Sequence, residues 1–134
     1  MADLVRLWTT TPAGNTLTNR SIAVGTAFEV VMDVEAESGE FALGSNYTVG
    51  AVAINRTTGV TSGPLAEVAA STPAYGVANP MSTGLWNPEL DQFRWTVPAA
   101  FGAANDLIEI LAFLTVGAGV LKEAHFTSTY MLRV

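Results

Sequence analysis

The sequence predicts an all-β fold, an antiparallel β-sandwich of seven to eight short strands. Three observations lead to this prediction. Segments in which apolar and polar residues alternate recur along the 134 residues, and residues typical of turns stand between them. Hydrophobic residues make up 49% of the chain, which is enough to form a packed core. The length suits one domain, so we expect residues 1–134 to form a single sandwich.

Four segments carry the clearest strand patterns. FEVVMDVE at 28–35 places Phe28, Val30, Met32 and Val34 on one face and acidic residues on the other. YTVGAVAIN at 47–55 is apolar on both faces, which is typical of a central strand. FRWTV at 93–97 and HFTSTYMLRV at 125–134 alternate in the same way. Shorter strand candidates are LVRLW at 4–8, SIAV at 21–24 and LAEVAA at 65–70.

The stretch AAFGAANDLIEILAFL at 99–114 is compatible with a helix or a strand. Its β-branched continuation into a glycine-rich turn favours the strand. In a strand over 107–116, the more continuous apolar face is expected to point into the sandwich and consists of Ile108, Ile110, Ala112, Leu114 and Val116. Leu111 and Phe113 would then point outward.

An outer apolar surface follows from the same parity argument. On the last strand we expect Phe126, Tyr130, Leu132 and Val134 to point inward and Met131 outward. Strand 47–55 is expected to add either Val49 and Ala51 or Val52 and Ile54 to the outer surface. The candidate interface residues are therefore Val49, Leu111, Phe113 and Met131. A contiguous patch of this kind marks a partner surface, and we favour a second subunit over the long connection as its cover.

The order of these segments resembles that of immunoglobulin-like and fibronectin type III domains. VGTAFEVVMDVEA is followed by FRWTVPAAFGAANDLIEILAFLTVGAGVLKEAHFTSTYMLRV, in which a proline-containing corner leads to a long strand, a glycine-bearing hairpin and a final strand. The resemblance implies that the last two strands are neighbours and that 47–55 lies on the other side of 107–116. The Cys…Trp…Cys signature of antibody domains is absent, and a jelly roll stays an alternative.

The connection over 56–92 is the main departure from this pattern, because connections of this length are often functional. The segment 72–95, which overlaps the end of this connection, combines aromatic rings with amides and carboxylates, a mixture found in sugar and peptide sites. The candidate ligand-binding residues are Tyr75, Asn79, Trp86, Asn87 and Asp91. Burial of Trp86 in the core is the favoured alternative for that residue. We also expect residues 71–92 to be ordered.

Catalytic and metal-binding patterns are weak. His125 is the one histidine, and the motifs of nucleophilic hydrolases, P-loop proteins and zinc proteases are missing from the sequence, so we expect neither an enzyme nor a cofactor. Four acidic residues could offer oxygen ligands to Ca²⁺: Asp33, Glu35, Glu37 and Glu40. A solvated acidic strand edge is the favoured interpretation of this cluster, so we expect no metal.

Charge limits the possible partners. The formal net charge is −6, and the six Lys and Arg residues are scattered singly, which argues against nucleic acid and anionic membranes as partners. The longest apolar run, at 107–121, is too short to span a bilayer. No signal-peptide pattern is visible, so we expect a cytoplasmic protein, although a virion component would have the same features.

These observations favour a non-enzymatic recognition or assembly module that acts through protein contacts, with itself or another protein as partner. Two alternatives stay open. One is a carbohydrate- or small-ligand-binding domain that uses the 72–92 loop. The other is a virion or phage structural protein, which the low charge and the high Thr, Ala and Gly content would suit.

Overall fold

The computed structural model is a two-sheet β-sandwich, which confirms the predicted fold class. It describes residues 3–12, 20–37, 39, 44–68, 73–81, 86, 90–118 and 121–134. Within these residues there are ten strands: β1 (Asp3–Thr10), β2 (Ser21–Ile22), β3 (Phe28–Glu35), β4 (Asn46–Asn55), β5 (Thr61–Pro64), β6 (Ala66–Glu67), β7 (Asn79–Pro80), β8 (Leu90–Val97), β9 (Leu107–Ala118) and β10 (Leu121–Arg133).

The strands form a small and a large sheet. The small sheet has the order β1-β3-β8-β6, and the large sheet has the order β2-β10-β9-β4-β5, with β7 paired to the start of β4. All pairings are antiparallel except that of β2 with β10, which is parallel. This is the strand arrangement of an immunoglobulin-like sandwich. The neighbours of β9 are β10 and β4, as the resemblance implies.

The connection over 56–92 contains three short strands, β5, β6 and β7, each of two to four residues. β6 lies within the predicted candidate at 65–70, and β5 and β7 are the strands beyond those predicted. The chain passes from the large sheet to the small sheet at Leu65, which is buried and whose amide donates to the carbonyl of Ala51. The connection therefore contributes β6 to the edge of the small sheet and pairs both β5 and β7 with β4 in the large sheet.

The inner faces of β3, β8 and β9 are those that alternation predicts. The core side chains on these strands are fully or almost fully buried: Phe28, Val30, Met32, Val34, Phe93, Trp95, Val97, Ile108, Ile110, Ala112, Leu114 and Val116. Residues 107–116 form a strand, as the sequence favours. Removing this apolar surface from water is the main source of stability for a sandwich of this kind.

The predicted facing of β10 is wrong. Met131 is buried in the core, whereas Phe126, Tyr130, Leu132 and Val134 are exposed. The cause is the pairing register, in which Met131 is opposite Ile108 and Phe126 is opposite Phe113. Directly opposed residues of antiparallel strands point to the same face, so the strongly apolar inner face of β9 decides which side of β10 faces inward.

The assignment of Val49 to the outer surface is also wrong. Val49 and Ala51 lie in the core, and Val52 and Ile54 point to the outer side, where they are half-buried. Val52 is directly opposite Leu111 on β9. The second of the two predicted arrangements of this strand is therefore the one that forms.

Arg133 is fully buried at one end of the sandwich. Its guanidinium donates to the carbonyl oxygens of two loops, those of Ala23, Thr26, Pro98, Ala99 and Phe101. It also lies over the Phe28 ring, 4.9 Å from the ring centroid. Arg133 therefore ties the loop after β2 to the loop between β8 and β9.

Candidate functional site

The outer face of the large sheet is the candidate site, and three rows of side chains across β10, β9 and β4 form its centre. The first row consists of Phe126, Phe113 and Gly50. The second consists of Ser128, Leu111 and Val52, and the third of Tyr130, Glu109 and Ile54. Leu111 and Phe113 point outward, as their parity predicts, and both are half-buried. We call this surface the outer face below.

Tyr75 folds onto the first row from the connection between β6 and β7. Its ring meets the Phe113 ring edge-on, with 5.3 Å between the ring centroids. The backbone holds it in place, because the amide of Gly76 donates to the carbonyl of Val49 over 3.1 Å. The long connection therefore covers part of the outer face, and Tyr75 remains 40% exposed.

Gly50 makes this position of Tyr75 possible. A β-carbon at position 50 would lie 2.5 Å from Cδ2 of Tyr75 and 2.6 Å from Cε1 of Phe113. Both distances are shorter than atoms tolerate, so a side chain at this position would displace the aromatic rings. An isolated glycine inside an apolar strand is a sequence signal for such close approach.

Beside Tyr75 lies an apolar pocket with a volume of about 190 Å³. Its walls are Val52, Tyr75, Leu111, Ala112, Phe113 and Phe126. Phe126 stands at the rim with 76% of its surface exposed, more than any other large apolar side chain in the described part of the chain. Exposure of this extent in an apolar setting is typical of a surface that meets a partner.

A charged group lies within the outer face and is neutralised there. Glu109 is buried between its neighbours and forms an ion pair with Arg56. A hydrogen bond from the Tyr130 hydroxyl, followed by the pairing with Arg56, holds the pKa of Glu109 below its ordinary value, against the opposing effect of desolvation. The same hydrogen bond raises the pKa of Tyr130. The Glu109 carboxylate therefore stays ionised, and Arg56 compensates its negative charge.

The structure does not gather the predicted ligand-binding residues into one site. Tyr75 lies on the outer face, whereas Trp86 is fully buried in the core, edge-on to Tyr47 with 4.8 Å between the ring centroids. Trp86 is thus not an exposed platform, and its favoured alternative, burial, is what the structure shows. Asp91 is half-buried on β8, and its negative charge adds to burial in raising the pKa of Tyr47.

Asn79 uses its side chain locally, because its amide nitrogen donates to the carbonyl of Val77 over 2.9 Å. Asn87 lies outside the described residues. The side-chain amide of Asn79 is therefore engaged within its own segment. The expectation that 71–92 is ordered also falls partly outside it and stays a prediction.

Among the described residues, the acidic side chains that could offer ligands to Ca²⁺ do not form a cation site. Asp33 is half-buried on β3, and Glu35 and Glu37 are exposed. No group of three His, Cys, Asp or Glu side chains that could hold a metal occurs among the described residues, and Glu40 lies outside them. The described residues also contain no helix long and apolar enough to cross a membrane.

A second concave surface lies between β1 and β10, where the two sheets meet at one side of the sandwich. It has a volume of about 470 Å³ and is lined by residues 3–7 and 124–127. His125 lies there, with Nδ1 3.5 Å from a carboxylate oxygen of Asp3 and Nε2 3.7 Å from one of Glu123. The side chains meet across the two strands and contribute a local contact between the sheets.

Sequence reasoning missed Gly50 and the exposed position of Phe126 as parts of the site. Gly50 was detectable in principle, because a glycine within YTVGAVAIN interrupts a strand that is otherwise well suited to pack. The position of Phe126 depends on the register between β9 and β10, which the alternation of β10 alone does not determine.

No protein-family model matches the chain, and no curated protein matches it by sequence. Two solved structures share its fold. AggA, the major subunit of aggregative adherence fimbriae type I from Escherichia coli, has a TM-score of 0.51 and 9% identity, over 98% of this chain and 93% of AggA. A family 123 glycoside hydrolase from Clostridium perfringens has a TM-score of 0.50 and 12% identity, over all of this chain but only 28% of the enzyme.

Proposed function

We propose that this chain is a non-enzymatic assembly module that associates with further copies of itself through the outer face of its large sheet. The observation that carries the proposal is the exposed apolar surface around Phe126, which is 76% exposed beside an apolar pocket. Leaving such a surface in water is unfavourable, and burying it against a partner is the usual outcome.

Charge favours an identical copy as the partner. The chain carries a net charge of −6, so contact between most of its surfaces would bring like charges together. On the outer face, the charged side chains among the described residues are Glu109 and Arg56, and these compensate each other. Two outer faces can therefore meet without net repulsion, whereas a strongly basic partner would find no excess acidic charge here.

The outer face is large enough to form the centre of a contact between copies. Its three strands at about 4.8 Å spacing and ten residues at about 3.3 Å each give a flat area of about 480 Å². Standard interfaces bury about 800 Å² per partner, and side-chain relief raises the accessible area above the flat value. The outer face therefore supplies more than half of the surface that a standard interface buries.

The fold comparison agrees with an assembly role at a coarse level. AggA is a fimbrial major subunit, which is a protein that works as part of an assembly. The match to the glycoside hydrolase covers only 28% of the enzyme, and Trp86, one of the candidate ligand residues, is buried in the core. These features support assembly over catalysis or carbohydrate binding.

The experiment is the substitution Leu111→Glu, measured by light scattering and thermal melting. Leu111 lies at the centre of the outer face, so two added carboxylates would meet in the contact between copies. We expect an associating parent and a folded, monomeric variant. Ala100→Glu makes the same charge change on an exposed loop residue and should leave the association intact. A parent that is monomeric at high micromolar concentration would overturn the proposal.

A further inference from the structure

We propose that the contact between copies is isologous, with Phe126 of each copy entering the pocket beside Tyr75 of the other, so that assembly closes at two subunits. The inference rests on the proposed function and specifies its geometry. It differs from an open filament, because a filament needs two different surfaces on each subunit.

Phe126 has the properties of an anchor. Its side chain is 76% exposed on β10 and stands opposite Phe113, so it projects from an apolar row rather than from a polar surface. Ala124 and Ser128, the next residues on the same face of β10, are small and exposed. The ring is therefore accessible from both sides along the strand. Buried aromatic anchors of this kind carry much of the binding energy in protein interfaces.

The pocket has the size and composition for a phenyl ring. Its volume is about 190 Å³, and its walls are side chains of Val52, Tyr75, Leu111 and Phe113 together with Ala112 and Phe126. An apolar cavity of about 150 Å³ is sufficient to hold benzene. A second copy therefore offers a group that the pocket can accept, and the pocket contains no charged side chain that would remain unpaired.

The relative position of anchor and pocket determines the symmetry. Phe126 is itself at the rim of the pocket, so both lie on the same face of the sheet and next to each other. A two-fold axis that lies in the plane of the contact and runs between the anchor and the pocket brings each Phe126 to the pocket of the other copy. The contact then uses the same surface on both copies and leaves none free for a third.

Gly50 leaves room for two walls of the pocket, the rings of Tyr75 and Phe113. A β-carbon at position 50 would lie 2.5 Å from the Tyr75 ring and 2.6 Å from the Phe113 ring. Gly50→Ala should therefore displace these walls while the Phe126 side chain is retained. Gly50→Ala changes the pocket, whereas Phe126→Ala removes the anchor, so the two substitutions test the two parts of the contact separately.

The test is the dimer dissociation constant from sedimentation velocity over a concentration series. We expect Phe126→Ala to raise the constant at least about tenfold, the effect of losing an interface anchor. Gly50→Ala should also raise it. Val24→Ala, in the loop after β2 and also exposed, is the matched control and should leave it unchanged. Because Phe126 is exposed in the single copy, Phe126→Ala should leave the melting temperature unchanged at low concentration, where the parent is monomeric, and lower it only where the parent is dimeric.

The outcomes separate this inference from the proposed function. If the parent dimerises and Leu111→Glu dissociates the dimer but Phe126→Ala does not, the result supports assembly. It overturns the role of Phe126 as the anchor. Growth beyond the dimer with increasing concentration would also leave assembly standing and overturn the closed, isologous contact. A parent that stays monomeric would overturn both.

Discussion

Replacing Arg133 with methionine removes a guanidinium that holds one end of the sandwich together. Arg133 is 0% exposed and donates to five carbonyl oxygens at 2.6 to 3.4 Å. Methionine keeps much of the apolar stem but offers no donor. Burial lowers the pKa of Arg133, yet guanidinium groups remain protonated in proteins, so the substitution removes a charged donor rather than a neutral one.

The magnitude follows from the surroundings of the five acceptors. The carbonyls of Ala23, Thr26 and Pro98 belong to exposed residues, where water can replace the lost donor. The carbonyls of Ala99 and Phe101 belong to half-buried residues, and leaving each of them without a donor would cost about 1–2 kcal/mol. Loss of the cation–π contact with Phe28 adds about 1 kcal/mol. We therefore expect Arg133→Met to lower the free energy of unfolding by about 3–5 kcal/mol.

Urea unfolding, followed by tryptophan fluorescence, measures this loss. With an m value of about 2 kcal/mol per molar, the midpoint should fall by about 2 M while the slope stays the same. Arg20→Met removes the same charge from an exposed residue and should change stability by less than about 0.5 kcal/mol. Arg133→Lys, with three donors on one nitrogen, should lie between the parent and the methionine variant. A loss below about 1 kcal/mol for Arg133→Met would refute the reasoning.

Three further predictions concern the core, the buried carboxylate and calcium. Trp86→Ala should lower the free energy of unfolding by about 3–5 kcal/mol, because the ring is fully buried, and unchanged stability in urea would contradict its core position. The hydrogen bond from Tyr130 lowers the pKa of Glu109 in the folded state. The stabilising contribution of the Glu109 carboxylate is therefore complete above its unfolded-state pKa of about 4.3, and it is lost as the pH falls through the folded-state pKa. Glu109→Gln should therefore be less stable at neutral pH and lose less stability on acidification, and an unchanged pH dependence of urea unfolding would refute this. Millimolar Ca²⁺ should leave the melting temperature unchanged, and a rise of several degrees that Glu37→Gln abolishes would show a cation site.

The sequence was sufficient to predict the central strands because their alternation is local. β3, β4, β8 and β9 each carry an apolar face that is evident within eight to twelve residues. The order β10-β9-β4 followed from the resemblance rather than from any single segment. β6 falls within the predicted candidate LAEVAA at 65–70, whereas β5 and β7 were not predicted, because strands of two to four residues are too short to show a period.

The site was only partly predictable, because it depends on contacts between distant residues. Leu111 and Phe113 followed from the parity of β9, which is a local property. The outward position of Phe126 and the inward position of Met131 depend on the register with β9, and the pattern of β10 taken alone indicates the opposite. The burial of Arg133 depends on two loops more than 30 residues away in sequence, beyond the range of any local pattern.

The solution mass of the unaltered protein tests the central claim, that the outer face joins two copies, most directly. One chain has a mass of 14.1 kDa, so sedimentation equilibrium should give twice this value at high concentration, and the mass should fall towards that of one chain on dilution. The absence of cysteine means that no disulfide can produce the same mass. A mass that stays at 14.1 kDa up to high micromolar concentration would contradict the claim.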